Sequence, residues 1–103
     1  MEKLPNIHPG EVLLEEFLKP LSVSAYRLAK EIEIPQTRLS QIIKGARRIT
    51  ADTAWRLSLY FGNSPNFWLG LQNDYDLEEE RLNNAESFSR IMPIQKNLPP
   101  KLL

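Results

Sequence analysis

Six polar side chains that can pair with DNA bases occur within residues 36–44 of the sequence. Glutamine can form two hydrogen bonds with adenine, arginine and lysine pair with guanine, and the threonine methyl group packs against the methyl group of thymine. No acidic residue lies between Pro35 and Arg48, so no carboxylate of this segment would repel a phosphate backbone. The predicted base-reading residues are Gln36, Thr37, Arg38, Ser40, Gln41 and Lys44.

Residues on both sides of this segment are suited to contacts with phosphates. Arg47 and Arg48 follow Gly45 directly, where their long cationic side chains can reach a DNA backbone. Ser24 and Arg27 begin the preceding helix, whose free backbone amides also favour an anion. We therefore predict phosphate contacts from Ser24, Arg27, Arg47 and Arg48, which would fix the position of the protein on DNA without reading its sequence.

Two short helices must position these side chains. Apolar residues recur at helical spacing in residues 24–32 and again in residues 35–44, and only Glu33 and Ile34 separate the two segments. The small side chain of Ala29 lets the second helix cross the first closely, and Ile34 can fill the angle between them. This layout is that of a helix-turn-helix. If Glu33 adopts a positive φ in the turn, it costs about 1 kcal/mol relative to glycine.

The second helix is predicted to carry the base-reading residues on its outer side. Its inner stripe consists of Leu39, Ile42 and Ile43. At about 100° per residue, the opposite face then carries Thr37, Ser40, Gln41 and Lys44. Gln36 lies at the exposed N-terminal end of the helix and Arg38 on a flank.

Three further helices complete the predicted all-α fold, because no sustained alternation of apolar and polar residues indicates a strand. They span about residues 9–19, where Pro20 is expected to end the helix, the segment from the Thr50 cap to Gly62, and about residues 64–82. We therefore predict a five-helix helix-turn-helix domain over residues 1–82 and a proline-containing C-terminal arm over residues 83–103.

Composition excludes several classes of function. The 103 residues fit one small domain, no cysteine is present, and His8 is the only histidine. Paired-histidine metal sites and thiolate metal sites are therefore excluded, and His8 is expected to be a capping or surface residue. No apolar run approaches the ~20 residues of a membrane span, and no signal peptide is recognisable. We expect a cytoplasmic protein without a metal or cofactor.

The distribution of charge favours DNA although the net charge is zero. Residues 21–60 carry seven lysine or arginine side chains against three carboxylates, a net charge of +4. The flanking segments, residues 1–20 and 61–103, each carry a net charge of −2. Local charge rather than the total sets the field at a phosphate backbone.

These residues resemble the HigA-type antitoxins, a branch of the Xre/phage-repressor-like helix-turn-helix proteins. The resemblance covers about residues 7–77. It is carried by Ile7-His8-Pro9-Gly10-Glu11, Glu15-Glu16-Phe17-Leu18, Leu28-Ala29, Gly45, Arg47-Arg48-Ile49-Thr50, Asp52-Thr53-Ala54, Tyr60-Phe61-Gly62-Asn63-Ser64-Pro65, Phe67-Trp68-Leu69 and Leu71-Gln72-Asn73-Asp74-Tyr75-Asp76-Leu77. It implies a five-helix, repressor-like domain and base reading by Gln36, Thr37 and Gln41, with Arg38, Ser40 and Lys44 as looser candidates.

The resemblance also implies what such a protein does. A homodimer would bind an inverted repeat in double-stranded operator DNA, repress the operon that encodes it and its toxin, and neutralise a small, basic ribonuclease toxin. Two alternatives stay open: a free-standing Xre-type transcriptional regulator without a toxin partner, and a protein-interaction adaptor. An enzyme is not expected, because the chain has neither a catalytic domain nor a second histidine.

Other conspicuous residues have simpler interpretations. The acidic residues 74–80 are predicted to form a solvated helix face rather than a toxin-binding site. Leu59 is either a surface residue or a dimer contact, and the arm could fold back, swap between subunits or bind toxin. The aromatic residues predicted to lie in the core or a dimer interface, rather than to stack on bases, are Trp55, Phe67, Trp68 and Tyr75.

Overall fold

The computed structural model describes residues 5–94, which fold into six helices without a strand. Helix α1 spans residues 9–21, with α-helical ends Pro9–Val12 and Lys19–Leu21 and a π-helical centre, Leu13–Leu18. The remaining helices are α2 (Ala25–Glu31), α3 (Gln36–Ile43), α4 (Ala51–Phe61), α5 (Pro65–Asn83) and α6 (Ala85–Ser89). The all-α prediction is confirmed, and α6 is an additional short helix within the predicted arm. None of the helices in residues 5–94 is long and apolar enough to cross a bilayer.

Three of the helices begin after an N-cap residue that carries a hydroxyl group. The side chains of Ser24, Thr50 and Ser64 each accept a hydrogen bond from the backbone N–H three residues further on, at 3.0, 3.4 and 3.1 Å. Each bond satisfies an amide that has no partner within its own helix. The predicted starts of α2, α4 and α5 are therefore confirmed.

Two glycines end helices in the left-handed conformation. Gly45 after α3 has φ +82°, and Gly62 after α4 has φ +78°, a region that costs glycine little because it has no Cβ. Both predicted stops are confirmed. Glu33 does adopt a positive φ, at +60°, so the turn of the helix-turn-helix carries the strain anticipated from the sequence.

The prediction that Pro20 ends α1 is wrong, because the helix continues through Pro20 to Leu21. The preceding residues are π-helical, and the Lys19 N–H donates to the carbonyl of Leu14 instead of the residue four positions back. In this wider register the proline ring no longer opposes an ordinary α-helical bond, so the helix tolerates it.

One core joins five of the helices. Trp68 of α5 is fully buried, and Phe17 of α1 packs against its ring at 4.9 Å and against the Phe61 ring at 5.0 Å. The buried apolar residues of the core are Leu13, Leu18, Leu28, Ala29, Ile32, Ile34, Leu39, Ile42, Ile49, Ala54, Leu57 and Trp68. Because this cluster draws on both helices of the helix-turn-helix and on their supports, it holds α3 on the rest of the domain.

Helix α1 crosses α3 at Gly10, with no room for a side chain between them. A Cβ atom at Gly10 would lie 1.8 Å from the carbonyl oxygen of Ile42 and 2.9 Å from the Cα of Ile43. Both contacts are to backbone, which cannot rotate out of the way. Gly10 therefore sets the distance between α1 and the end of α3.

The described C-terminal residues extend away from the core. Residues 80–94 are all exposed, and α6 contains no buried residue. Leu77 at 63% and Met92 at 81% are among the large apolar side chains that face solvent here. The last residues of the predicted arm, including Leu98, Leu102 and Leu103, lie outside the described residues.

Truncation after Leu82 is expected to leave the helical domain folded. The described residues that would be removed bury nothing in the core, so the midpoint of thermal unfolding should move by less than about 5 °C. Thermal denaturation followed by circular dichroism, with the full chain as the reference, measures the shift. Loss of the cooperative transition would show instead that the arm is part of the fold.

Candidate nucleic-acid interface

The two helices of the motif are held together as the sequence predicts. Ala29 is 3% exposed at the crossing, and Ile34 is buried in the angle between α2 and α3. The N–H of Ile34 donates to the carbonyl of Ala29 at 3.0 Å, which closes the turn around Glu33. The inner stripe of α3 is formed by Leu39 and Ile42, both fully buried, with Ile43 partly buried. The outer side of α3 is therefore directed away from the core.

Five of the six predicted base-reading residues share that outer side. They line one shallow depression with a volume of about 350 Å³. Its lining consists of Gln36, Thr37, Ser40, Gln41 and Lys44. All are exposed except Ser40, which is half-buried. The face thus presents amide, hydroxyl and ammonium groups to one partner surface, as readout of base edges requires.

Arg38 is placed differently from the other five. Its guanidinium turns towards α4, where Nη2 donates to Asp52 at 2.8 Å and to the hydroxyl of Thr53 at 2.9 Å. Only 28% of its side chain is exposed. The flank position predicted from the helical wheel is confirmed, but the charge of Arg38 is already paired within the protein.

The predicted phosphate-contacting residues at the start of α2 lie at its exposed end. Ser24 uses its hydroxyl to cap the helix, and the Arg27 side chain pairs with Glu31 one turn further on at 3.2 Å. This hydrogen bond to Glu31 raises the pKa of Arg27. Because the pair is exposed, it contributes little to stability and leaves Arg27 able to exchange partners.

Arg47 contacts a base-reading residue directly. Its Nε donates to Oε1 of Gln41 at 2.8 Å, across the loop that follows α3. An amide oxygen has two lone pairs, so Oε1 can accept from Arg47 and from an adenine amino group together. The contact orients the Gln41 amide before any base is bound. Nothing in the periodicity of α3 indicates this pairing.

Arg48 is anchored to α5 through a polar network that the sequence does not predict. Its Nη2 donates to Asp76 at 2.6 Å, and Gln72 donates to the other oxygen of Asp76 at 2.9 Å. Gln72 is 98% buried, and its Oε1 accepts the N–H of Ile49 at 2.7 Å. The loop between α3 and α4 is thereby held on α5. The sequence signal for this network is Gln72, a polar residue one turn after Trp68 on the buried stripe of α5.

His8 caps the start of α1, which is one of the two roles that the sequence predicts for it. Its Nδ1 accepts the N–H of Gly10 at 2.9 Å, and its ring packs edge-on against Tyr75 at 4.9 Å. Partial burial lowers the pKa of His8, with Asp76 acting in the opposite direction. The neutral ring is the form that can accept the Gly10 bond. Within residues 5–94, no group of three His, Cys, Asp or Glu side chains could hold a metal ion.

The aromatic residues do not form a platform beside α3. Trp68 lies in the core, one of the two locations predicted for it, and Phe67 packs edge-on against it at a distance of 5.0 Å between the ring centroids. Trp55 is instead 58% exposed on the outer side of α4, one turn before Leu59, which is 77% exposed. These two residues form an apolar surface on α4 that no described residue covers.

Comparison with known proteins identifies the class of this arrangement. The pattern of the helix-turn-helix family matches residues 14–68, which contain the whole α2–α3 motif and its supports. Virulence-associated protein I of Dichelobacter nodosus is 44% identical over 92 residues, which cover 89% of this chain and 84% of that protein.

Solved structures show the same fold along nearly the whole domain. Antitoxin HigA of Pseudomonas aeruginosa, solved with the higBA promoter, superposes with a TM-score of 0.84 at 35% identity, covering 88% of this chain and 100% of that chain. An addiction module antidote protein of the HigA family from Coxiella burnetii superposes with a TM-score of 0.82 at 43% identity, covering 87% and 99%.

The resemblance noted in the sequence is therefore confirmed over the fold and over the motif that carries the candidate interface. Proteins of this kind are DNA-binding regulators and antitoxins, not enzymes. The chain belongs to the helix-turn-helix family, and within it to the Xre-like DNA-binding proteins of the HigA antitoxin type.

Proposed function

We propose that this protein is a sequence-specific antitoxin that represses the operon encoding it and its toxin, and that neutralises a small ribonuclease toxin. The observation that carries the proposed DNA binding is the outer face of α3, where five of the predicted base-reading side chains line one depression. The P. aeruginosa antitoxin HigA that shares the fold was solved with the higBA promoter, which supports DNA binding by this chain.

The charges around α3 suit a DNA backbone. Arg27 lies on α2, and Arg47 and Arg48 lie on the loop after α3, so cationic groups occur on the elements that precede and follow α3. Each such contact with a phosphate releases counterions and makes the affinity depend on salt. These side chains would position α3 in the major groove, where Gln36, Thr37 and Gln41 read the bases.

The operator is proposed to be an inverted repeat bound by a homodimer. Two copies of α3 would enter successive major grooves about 34 Å apart, so each copy reads one half-site. The exposed apolar surface formed by Trp55 and Leu59 is available for the contact between the two copies. Apolar side chains that face solvent side by side are typical of such contacts.

Fluorescence anisotropy tests the repressor function. The purified chain is titrated onto DNA from upstream of its own gene and onto a scrambled duplex of the same composition, across a series of salt concentrations. Tighter binding to the upstream DNA, with a steep dependence on salt, supports sequence-specific repression. Equal, weak binding to both duplexes would contradict it and favour a protein-interaction adaptor.

The antitoxin function needs a separate experiment. A neighbouring gene for a small, basic protein is expressed alone and together with this chain, and the integrity of cellular RNA and the co-purification of the two proteins are followed. RNA cleavage by the small protein alone, suppressed when the two form a complex, supports neutralisation. Absence of a complex, with DNA binding intact, would favour a free-standing regulator.

Gln41→Ala is expected to weaken binding to the upstream DNA by about 1–3 kcal/mol and to change binding to the scrambled duplex little. Its amide lies on the exposed face of α3 and is oriented by Arg47, so its loss removes base recognition without removing a charge. Anisotropy on both duplexes measures the two affinities. Asn83→Ala, which removes an exposed amide at the end of α5, is the matched control. Equal losses on both duplexes would refute base reading by Gln41.

A further inference from the structure

A chain of hydrogen bonds joins α4 to both helices of the motif. Asp52, in the first turn of α4, accepts from Arg38 Nη2 at 2.8 Å and from Arg56 Nε at 3.1 Å. Arg38 also donates to Thr53, at 2.9 Å. Arg56 Nη1 donates to the carbonyl of Ile32, at the end of α2, at 2.9 Å. One carboxylate thus connects α4 with the start of α3 and, through Arg56, with the end of α2.

These bonds supply directional control that the apolar core does not. Helix α3 has only eight residues, and its buried contacts come from one stripe, Leu39 and Ile42. Apolar contacts resist separation of two helices but depend weakly on rotation or sliding, since the hydrophobic effect is not directional. Charge-assisted hydrogen bonds depend strongly on geometry. The bonds act at the first turn of α3, next to the strained turn at Glu33.

We propose that Asp52 is a positioning residue that sets the orientation of α3 through Arg38, and that it thereby governs discrimination between operator and other DNA. Arg38 then acts as a strut between α3 and α4 and not as a reader of bases. The inference rests on the DNA binding proposed above and goes beyond it, because neither Asp52 nor its partners at Arg56 and Ile32 belong to the base-reading or phosphate-contacting sets.

The carboxylate is suited to this part. Hydrogen bonds from Arg38 and then Arg56 hold the pKa of Asp52 below its ordinary value, so it stays ionised at neutral pH. Its side chain is 56% exposed, so the bonds contribute little to the stability of the fold. The contribution to orientation remains, because within residues 5–94 the Arg38 guanidinium donates to Asp52 and to its neighbour Thr53, both in the first turn of α4.

Orientation of α3 affects specific and non-specific binding differently. Hydrogen bonds to base edges fail when donor and acceptor move apart by a few tenths of an ångström. Contacts from long, flexible cationic side chains to phosphates tolerate the same displacement. A loosened α3 should therefore lose affinity for the operator and keep its affinity for random DNA.

Asp52→Asn tests the proposal in the full-length chain. We expect the ratio of the two dissociation constants, scrambled duplex to upstream duplex, to fall at least about fivefold. Affinity for the scrambled duplex should stay or rise, because a negative charge is lost. Backbone amide chemical shifts of α3 in the free protein should change, while the midpoint of thermal unfolding changes little. If Asp52 acts only through its charge, Asp52→Asn would raise both affinities equally and leave their ratio unchanged. That result would overturn the proposal.

Glu31→Gln is the matched control. Glu31 is an exposed carboxylate of α2 that pairs with Arg27 at 3.2 Å and bonds to Tyr60 near the end of α4, away in sequence from Asp52 and from the start of α3. Its substitution removes the same charge as Asp52→Asn. We expect both affinities to rise by a similar factor, with an unchanged ratio and unchanged shifts in α3. A fall in the ratio equal to that of Asp52→Asn would assign the effect to charge and overturn the positioning role.

Arg38→Met distinguishes two roles of Arg38, positioning of α3 through Asp52 and direct contact with a base. If Asp52 acts through Arg38, Arg38→Met lowers the ratio as much as Asp52→Asn, and the double variant loses no more than either single one. If Arg38→Met lowers the ratio and Asp52→Asn does not, Arg38 reads a base and the proposal is overturned. A wild-type chain that does not distinguish the two duplexes would instead refute the proposed function itself.

Discussion

Gly10→Ala is expected to destabilise the fold by at least about 3 kcal/mol, the largest effect of any substitution considered for stability. The new Cβ atom would lie 1.8 Å from the Ile42 carbonyl oxygen, so α1 and α3 would have to move apart. A domain of this size has a total stability of about 5–15 kcal/mol, so much of it would be lost. Chemical denaturation followed by circular dichroism measures the change in the free energy of unfolding.

The matched control for this substitution is Gly70→Ala. Gly70 lies in the middle of α5 with nothing within 4 Å of the Cβ that alanine would add. Alanine in the interior of a helix is favoured over glycine by about 0.5–1 kcal/mol, so this variant should be slightly stabilised. Similar changes in the two variants would contradict the close approach of α1 and α3.

Displacement of α1 has a consequence for DNA binding as well. Ile42 and Ile43, the residues that a Cβ at Gly10 would strike, belong to the last turn of α3. The end of α3 carries Gln41 and Lys44, so a shift there moves base-reading residues. Where the variant still folds, it should lose preference for the upstream DNA in proportion to that shift.

Replacing Arg47 and Arg48 together by alanine is expected to weaken binding to both the upstream and the scrambled duplex, with an additional loss on the upstream duplex because Arg47 also orients Gln41. Each lost phosphate contact reduces the magnitude of the slope of log affinity against log salt by about 0.9. The magnitude of this slope should therefore be smaller by about 1.8 in the double variant. Arg48 must exchange Asp76 for a phosphate on binding, and because that ion pair is exposed the exchange costs little. Anisotropy across a salt series measures both the affinity and the slope.

A double variant at Arg81 and Arg90 is the control for net charge. These arginines lie on α5 and just after α6, away from α3, and each pairs with a carboxylate of its own segment. Their replacement by alanine changes the net charge by the same amount and should leave the salt slope almost unchanged. An unchanged slope in the Arg47 and Arg48 variant would refute their contact with phosphates.

The position of the candidate interface on the chain could be predicted from the sequence. Ser24, Thr50 and Ser64 begin helices, and Gly45 and Gly62 end them, because a cap acts within three residues of its own position. The periodicity of α3 placed five polar side chains on one face, since the helical repeat alone decides which residues share a side. The family resemblance added how such a face is used.

The end of α1 could not be predicted from the sequence, because the residues before Pro20 form a π-helix and not an α-helix. Pro20 was expected to end α1, as proline does in an α-helix, but the π-helical stretch before it removes the conflict. Within that π-helical stretch Phe17 packs against Phe61 of α4 and Trp68 of α5, contacts that no pattern within α1 expresses.

The sequence by itself determined five of the six helices apart from the end of α1, the hydroxyl caps and the polar face of α3, because each of these depends on residues a few positions apart. Only the tertiary structure decided how that face is held. Arg38 meets Asp52 across 14 residues, Ile49 meets Gln72 across 23, and Arg48 meets Asp76 across 28. Gly10 meets Ile42 only because α1 crosses α3. Such partners are set by the angles at which helices pack, and those angles result from the whole core at once.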